Sequence, residues 1–368
     1  MPSNRFKAAL TLKNSALDSI LKSVKYPGFS RDIVSFGLVK DYRLEEGHAT
    51  VDLQLTSKDP EIAKKIKASI ESACALSREV ASVTVNTQVS APPTPGEQNA
   101  QPAKIAGVKH VVAIASGKGG VGKSTVTTNI ACATEQILAE QGMPGRVGIM
   151  DCDIYGPSIP MMLGIGTEPE IEDNALIPPQ NYDVCCMSMG YFLGPNAPVV
   201  WRGPRIHQTI QQFITNVAWG DLEILFVDLP PGTGDAHLSL CQSLALDGVI
   251  VVTTPQAAAV NVAIRGAMMF PELNVPFLGV AENMIYLEDP DTSKKQYIFG
   301  HGGGAPTAVQ LNCDFLGQIP LDSNVRAGGD SGIPIVISEP DSTTAFAFRS
   351  VAGQVIGHIQ RSEASAAN

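Results

Sequence analysis

The chain has 368 residues, 44% of them hydrophobic and 17% charged, with a formal net charge of −10. Two or three domains fit that length, and the apolar share excludes wholesale disorder. The acidic balance argues against a general binder of nucleic acid or anionic membrane. The N-terminal run MPSNRFKAALTLKNSALDSI has too short an apolar stretch for a signal peptide, and no apolar run reaches the roughly 18 residues of a membrane span. Residues 1–90 read as a small α+β unit of order α-β-β-α-β. A short helix covers 15–23. Residues 32–43 and 49–56 are strand-like and join at Glu45, Glu46 and Gly47, a hairpin turn. Asp59 caps a second helix with Pro60 in its first turn, and Ile62, Ile66, Ile70 and Cys74 share one face. Residues 81–89 alternate as a closing strand. Nothing in this unit demands a catalytic site. Residues 91–104, rich in Pro, Gln and Ala, are a linker.

Residues 105–368 alternate short apolar strands with helices. Strands are expected at 111–115, 146–151, 184–189, 222–228, 248–253, 276–281 and 314–319. Helices are expected near 124–141, 205–218, 236–246, 256–270 and 343–360. Continuous apolar runs such as Val249–Val252 suit strands buried on both faces, so this is an α/β unit with a doubly wound, mostly parallel sheet. Ligands of such sheets bind at the carboxyl ends of the strands. Cys74, Cys132, Cys152, Cys185, Cys186, Cys241 and Cys313 are scattered and form no Cys-x-x-Cys pair. They read as reduced thiols, not a disulfide framework, and the expected compartment is the cytoplasm.

Gly117, Lys118, Gly119, Gly120, Val121, Gly122, Lys123 and Ser124 fit the phosphate-loop pattern G-x-x-x-x-G-K-[ST], between a strand and a helix. A polyphosphate needs many donors at short range. Glycines let successive N–H groups point inward, and the helix N-terminus adds partial positive charge. Lys123 can bridge the outer phosphates, Ser124 can ligate Mg²⁺ and Thr125 can donate to a phosphate oxygen. From spacing alone, Lys118 reads as a solvated surface lysine, although a loop lysine pointing away from its own nucleotide can reach one bound by a second subunit and neutralise transition-state charge in trans. Asp228 ends a hydrophobic strand, where a P-loop domain places the acid that holds Mg²⁺ through its water shell; Gly232 and Gly234, in the Pro-Gly turn that follows, allow backbone N–H groups to approach a γ-phosphate and move when it leaves. Asp151 and Asp153 end another strand at the same edge. Asp153 can orient the attacking water or bind the metal's outer shell, or it can cap the segment after it, and these roles are compatible. Asn283 follows the strand at 276–281, as a purine contact or a turn residue.

GKGGVGKST at 117–125 resembles the deviant Walker A motif of the family that includes nitrogenase iron protein, MinD and ParA. Within that family, DCDIYGPSIP (151–160), SMGYFL (188–193), VVWRGPR (199–205), FVDLPPGTGD (226–235), AENM (281–284) and FGHGGG (299–304) are similar to the Mrp/ApbC branch of iron–sulfur cluster carrier ATPases. The likeness runs from about 107 to 355. Residues 1–90 are similar to a small domain that recurs in iron–sulfur assembly factors. The resemblance implies a homodimer with ATP near the subunit interface and Lys118 reaching the partner's nucleotide. It places Asp153 in a first switch and Asp228 through Asp235 in a second, and makes Asn283 an adenine contact. It implies ATP hydrolysis, with a cluster received and passed to apoproteins.

One departure bears on the cargo. The family carries Cys-x-x-Cys shortly after the Asn-Met pair, where two subunits supply four thiolates to one 4Fe–4S cluster. Here Met284 is followed by Ile285, Tyr286, Leu287, Glu288 and Asp289. Hard carboxylates do not readily replace thiolates on iron–sulfur iron. Cys185 and Cys186, adjacent on a strand, point to opposite faces and read as core. The leading expectation is an ATP-dependent iron–sulfur cluster carrier whose partners are its own second copy, apo iron–sulfur proteins or assembly factors. The alternatives are a nucleotide-switched scaffold that holds no cluster and a MinD/ParA-like positioning ATPase. Residues 360–368 lack a basic amphipathic face, which disfavours membrane and nucleic-acid partners.

Overall fold

The computed structural model describes residues 15–24, 33–34, 38–45, 47–56, 60–77, 79–90, 102–154, 156–172, 175–192, 203–232, 235–289 and 291–366. Contacts divide the chain into two compact units, Met1–Ala100 and Gln101–Asn368. In the smaller unit, α1 (Ser15–Ser23) and α2 (Pro60–Ala75) pack with a three-stranded sheet of β1 (Val39–Glu45), β2 (His48–Thr56) and β3 (Ser82–Ser90). β2 is central, antiparallel to β1 across Gly47 and parallel to β3 across α2. Ile66, Ile70 and Cys74, four residues apart on one helix face, pack with Leu17, Leu21, Val51 and Leu53. The strand read at 32–43 begins only at Val39. Ile33 and Val34 lie in a turn, although Ile33 is fully buried; its apolar side chain marked the core, not an extended backbone. Asp59, Glu46, Gly234 and most of the linker lie outside the described residues.

Near the start of the larger unit, Ala103 exchanges backbone hydrogen bonds with Ser243 and Ala245. Its principal elements are β4 (Val108–Ala115), α3 (Lys123–Glu140), β5 (Val147–Asp151), β6 (Val184–Ser188), α4 (Gly203–Thr215), β7 (Leu222–Asp228) and α5 (Asp235–Ser243). They continue with β8 (Gly248–Thr253), α6 (Ala257–Ala267), β9 (Phe277–Glu288), β10 (Lys295–Gln296), α7 (Gly304–Leu311), β11 (Phe315–Leu321), α8 (Ser323–Ser331) and α9 (Thr343–Ala366). The sheet order is β10-β9-β8-β4-β7-β5-β6, with Gln180–Asn181 beyond β6 and β11 also paired to β9. Every pairing among β4 to β9 and β11 is parallel; only β10 and Gln180–Asn181 are antiparallel. The chain runs outward from β4 through β5 and β6, returns to β7, then builds β8, β9 and β11 on the other side. The direction of winding therefore reverses at β4, and the crevice at its carboxyl end is where such sheets bind ligands.

The two faces of β4 enter separate cores, as a strand covered on both sides requires. Val112 and Ile114 join Ile130 of α3 and Phe348, Val351 and Val355 of α9. Val111, Ala113 and Ala115 join Phe213 of α4, Leu240 of α5 and Phe270. Two details depart from the sequence reading. The helix read at 256–270 is broken at Met268, between α6 and a turn of helix at Met269–Glu272. The strand read at 276–281 continues to Glu288, because Glu282 and Asn283, polar residues that suggest a strand end, are buried by hydrogen bonds while β11 and β10 take up the extension. No helix among the described residues is long and apolar enough to cross a membrane.

Candidate functional site

The loop from Ser116 to Gly122 joins β4 to α3 at the winding reversal. Gly120 and Gly122 have φ of 83° and 79°, a region that favours glycine. Gly117 has a different reason to be glycine: a Cβ there would stand 2.3 Å from the backbone of Val262 and Ala263, so the loop lies flush on α6. Beside Gly119 and Gly120 an added Cβ would meet nothing within 4 Å, which leaves the mouth of the loop open. A Cβ on Gly122 would collide with the Asn283 amide, whose Nδ2 donates to the Val121 carbonyl at 2.9 Å.

Below this loop the polar groups converge on Asp228, which is fully buried. Its Oδ2 accepts from Lys123 Nζ at 2.5 Å and Ser124 Oγ at 2.6 Å, and its Oδ1 from Thr127 Oγ1 at 2.6 Å. Thr127 is a site residue that motif reading missed; its signal was its place one turn beyond Lys123 on the same helix face. The β5–β7 register sets Asp151 beside Asp228. Asp151, also fully buried, accepts from Ser188 Oγ at 2.8 Å and the Asp153 N–H at 3.1 Å. Its carboxyl is pushed up, first by burial and then by the charge of Asp228. Of these two buried acids only Asp228 pairs with the Lys123 ammonium, while Asp151 accepts from Ser188 and the backbone. The Ser124 hydroxyl and Asp228 carboxylate meet as hard oxygen donors, the set that Mg²⁺ prefers.

The other predicted residues lie around this centre. Asp153 is buried and accepts from the Gly156 N–H at 3.2 Å, so it caps the turn that follows. Lys118 Nζ donates to Gln256 Oε1 at 3.1 Å, just before α6. Thr125 and Asn283 line a cleft of about 240 Å³ with Met284, Leu321, Val325 and Arg326. Met284 has φ of 59°, and this kink in β9 aims Asn283 at the loop.

The thiols form no comparable centre. Six of the seven cysteines are buried and Cys313 is half-buried. Cys185 and Cys186 enter opposite cores, as their adjacency predicts. Burial pushes Cys132, Cys185 and Cys241 up to about 12, far from a thiolate at neutral pH. Among the described residues the one group of three potential metal ligands is His110, Glu223 and Glu363, at the opposite end of the sheet and without sulfur. Where the family pattern has Cys-x-x-Cys, β9 runs on, with Tyr286 under Lys295 Nζ (4.2 Å to the ring centroid) and edge-on to Tyr297.

Residues 107–356 match the family model described as NUBPL iron-transfer P-loop NTPase, and residues 14–86 match that of an iron-sulfur cluster assembly protein. An iron-sulfur cluster carrier protein of Synechocystis is 38% identical over 356 residues, covering 95% of this chain and 98% of that one. The iron-sulfur cluster transfer protein NUBPL of Mus musculus is 42% identical over 259 residues, 70% of this chain and 80% of its own. A solved nucleotide-binding protein of Archaeoglobus fulgidus, in complex with ADP, superposes with a TM-score of 0.54 at 35% identity, covering 66% of this chain and 92% of that one. Together with the loop, its lysine and the buried acid, these matches establish that the chain belongs to the NUBPL iron-transfer P-loop NTPase family.

Proposed function

We propose that this protein binds and hydrolyses ATP as a cytoplasmic homodimer and uses that cycle to carry iron–sulfur clusters to apoproteins. The observation that carries the nucleotide half is the convergence of Lys123, Ser124 and Thr127 on the buried carboxylate of Asp228. Lys123 is poised to exchange Asp228 for the outer phosphates of ATP, since both are anions at the same place. Ser124 and Asp228 are the residues that hold Mg²⁺, which supplies charge neutralisation to the transferring phosphoryl group. The amides of 119–123 and the start of α3 cradle the phosphates, and Thr125 donates to them. Thr125 and Asn283 border the cleft that takes the base, and the Asn283 bond to Val121 ties base recognition to the loop. Asp153 orients the attacking water, and products are ADP and phosphate. Lys118 serves the nucleotide of the second subunit, where it offsets charge developing between the β- and γ-phosphates.

The cargo half is supported by the likeness to carriers along nearly the whole chain, both units included. The cluster is cargo, and its ligands are not the Cys-x-x-Cys of the family pattern. The test is anaerobic reconstitution of the full chain with iron and sulfide, followed by incubation with an apo iron–sulfur protein. Iron and sulfide retained per dimer, then delivered in an ATP-responsive way, are expected. A chain that retains neither and activates no acceptor refutes carriage.

A further inference from the structure

His237 is the third residue of α5, directly after the turn that follows Asp228. It is 3% exposed, and neither ring nitrogen has a hydrogen-bond partner. Phe270 packs edge-on to the ring, with centroids 5.9 Å apart. A neutral imidazole carries one donor and one acceptor, and burying both unmatched is as unfavourable as losing hydrogen bonds made in water. Such an orphaned group calls for an explanation in terms of what it meets in another state.

The ring's surroundings supply one. It borders a cavity of about 10 Å³ with Ser116, Gly117, Gly232, Ala263 and Phe270, room for about one water. Three elements meet here: the front of the phosphate loop, the turn after β7, and α6. Gly117 is pressed against α6, and the Gly232 N–H donates to the Ser116 carbonyl at 3.1 Å, with Gly232 at φ 91°. The backbones of Pro230 and Gly232 act on the imidazole as acceptors, although neither reaches hydrogen-bond geometry. A small displacement of that turn therefore decides whether the ring has a partner. Burial holds the imidazole below its ordinary range, Lys123 adds to that, and the two acceptors oppose it. Ser116 is the other polar residue lining the cavity; the rest of the wall is uncharged.

We propose that His237 is a positioning residue of the second switch: its ring hydrogen-bonds a carbonyl of the Pro230–Gly232 turn in one nucleotide state and loses that partner in the other, which biases the turn between two positions. The proposal rests on the ATPase reading above. It deepens that reading by giving the turn a sensor behind the loop, across a small cavity from α6, the helix that Gln256, the partner of Lys118, precedes. His237 touches no reacting atom; it acts through the backbone it holds.

The test uses the full chain with Mg²⁺ and either ADP or a non-hydrolysable ATP analogue. The ring ¹⁵N and ¹H resonances of His237, assigned among the six histidines by their loss in His237→Gln, are compared between the two states. A change that marks gain of an N–H hydrogen bond in one state is expected. His237→Phe fills the space without hydrogen bonding. It is expected to lower kcat for phosphate release at least fivefold with KM for ATP within twofold, while His237→Gln keeps at least half of wild-type kcat. Identical ring resonances in both states overturn the proposal, as do wild-type turnover by His237→Phe or equal losses in the two variants. Should His237→Phe not fold, the wild-type resonances alone decide. Absence of any ATP turnover by the wild-type chain removes the ATPase reading, and the proposal with it.

Discussion

Lys123 and Asp228 form a buried ion pair in which neither residue can lose its partner cheaply unless another ion takes its place. Lys123 is 5% exposed, Asp228 is fully buried, and Asp151 adds a second carboxylate alongside. Removing one partner of such a pair destabilises by about 3–5 kcal/mol, whereas removing both is often close to neutral. Lys123→Met is therefore expected to lower unfolding free energy in urea by roughly 3 kcal/mol and hydrolysis by about 10³-fold or more. Adding Asp228→Asn restores much of the stability and none of the activity. A double variant as unstable as Lys123→Met alone contradicts this account of the pair. His237 gives a prediction with a defined sign. Its folded pKa lies below the ordinary 6.5, so the unfolded chain takes up a proton that the fold refuses. This contribution is intact above about pH 6.5 and is lost as pH falls below it. Urea melts at pH 7.5 and 5.5 are expected to show a larger loss for wild type than for His237→Phe; equal losses refute the assignment. At this scale the phosphate-loop residues were legible because their chemistry is local. Thr127 and Ser188 were not, because each bonds an acid far away in sequence, and His237 was not, because its burial without a partner depends on the packing around it.

At the scale of elements, the phosphate loop is held between α6 on one side and β9 on the other. Its glycines are therefore unequal. Gly117→Ala forces a Cβ to 2.3 Å from the α6 backbone, where no flexible side chain can yield. Overpacking of this kind destabilises by about 1–3 kcal/mol, so a lower Tm is expected together with weaker nucleotide binding. Gly119→Ala meets nothing within 4 Å and is expected to keep Tm while weakening nucleotide affinity, because its methyl occupies the side from which phosphates approach. Equal melting temperatures for these two variants refute the distinction. The strand–loop–helix unit was readable from the apolar run, the glycines and the helix start together. The length of β9 was not. Glu282 resembles a strand end in sequence, yet it is fully buried, accepting from the Gly303 and Gly304 N–H groups at 2.7 and 2.9 Å and from Gln318 at 2.9 Å. It thereby ties β9 to the start of α7 and to β11.

At the scale of the whole molecule, the trans role of Lys118 is the assignment most open to test. Within one chain Lys118 is satisfied by Gln256 and lies at the rim of its own loop. Lys118→Ala is expected to bind ATP as wild type does and to hydrolyse it at least tenfold more slowly. Mixing it with inactive Lys123→Met then gives hybrid dimers with one complete site, restoring up to about a quarter of wild-type turnover if subunits exchange at random. No recovery on mixing argues for a role within its own subunit. The cargo is a separate matter. Seven thiols are present, yet none is both exposed and grouped with others among the described residues, and the strand that replaces the family's cysteine pair carries Tyr286 there, packed against Tyr297.

The sequence alone determined that this chain winds a parallel sheet and places a phosphate-binding loop after its first long-unit strand. Apolar runs, glycine spacing and helix starts are short-range signals, and each is dictated by sterics and hydrogen bonding within a few residues. Only the tertiary structure decided what that loop faces. Strand order set Asp151 beside Asp228 and brought Asn283 against Val121 from 162 residues away, and it enclosed His237 without a partner. Such juxtapositions arise when distant strands pair in register, a choice made by the sheet as a whole and written in no single segment.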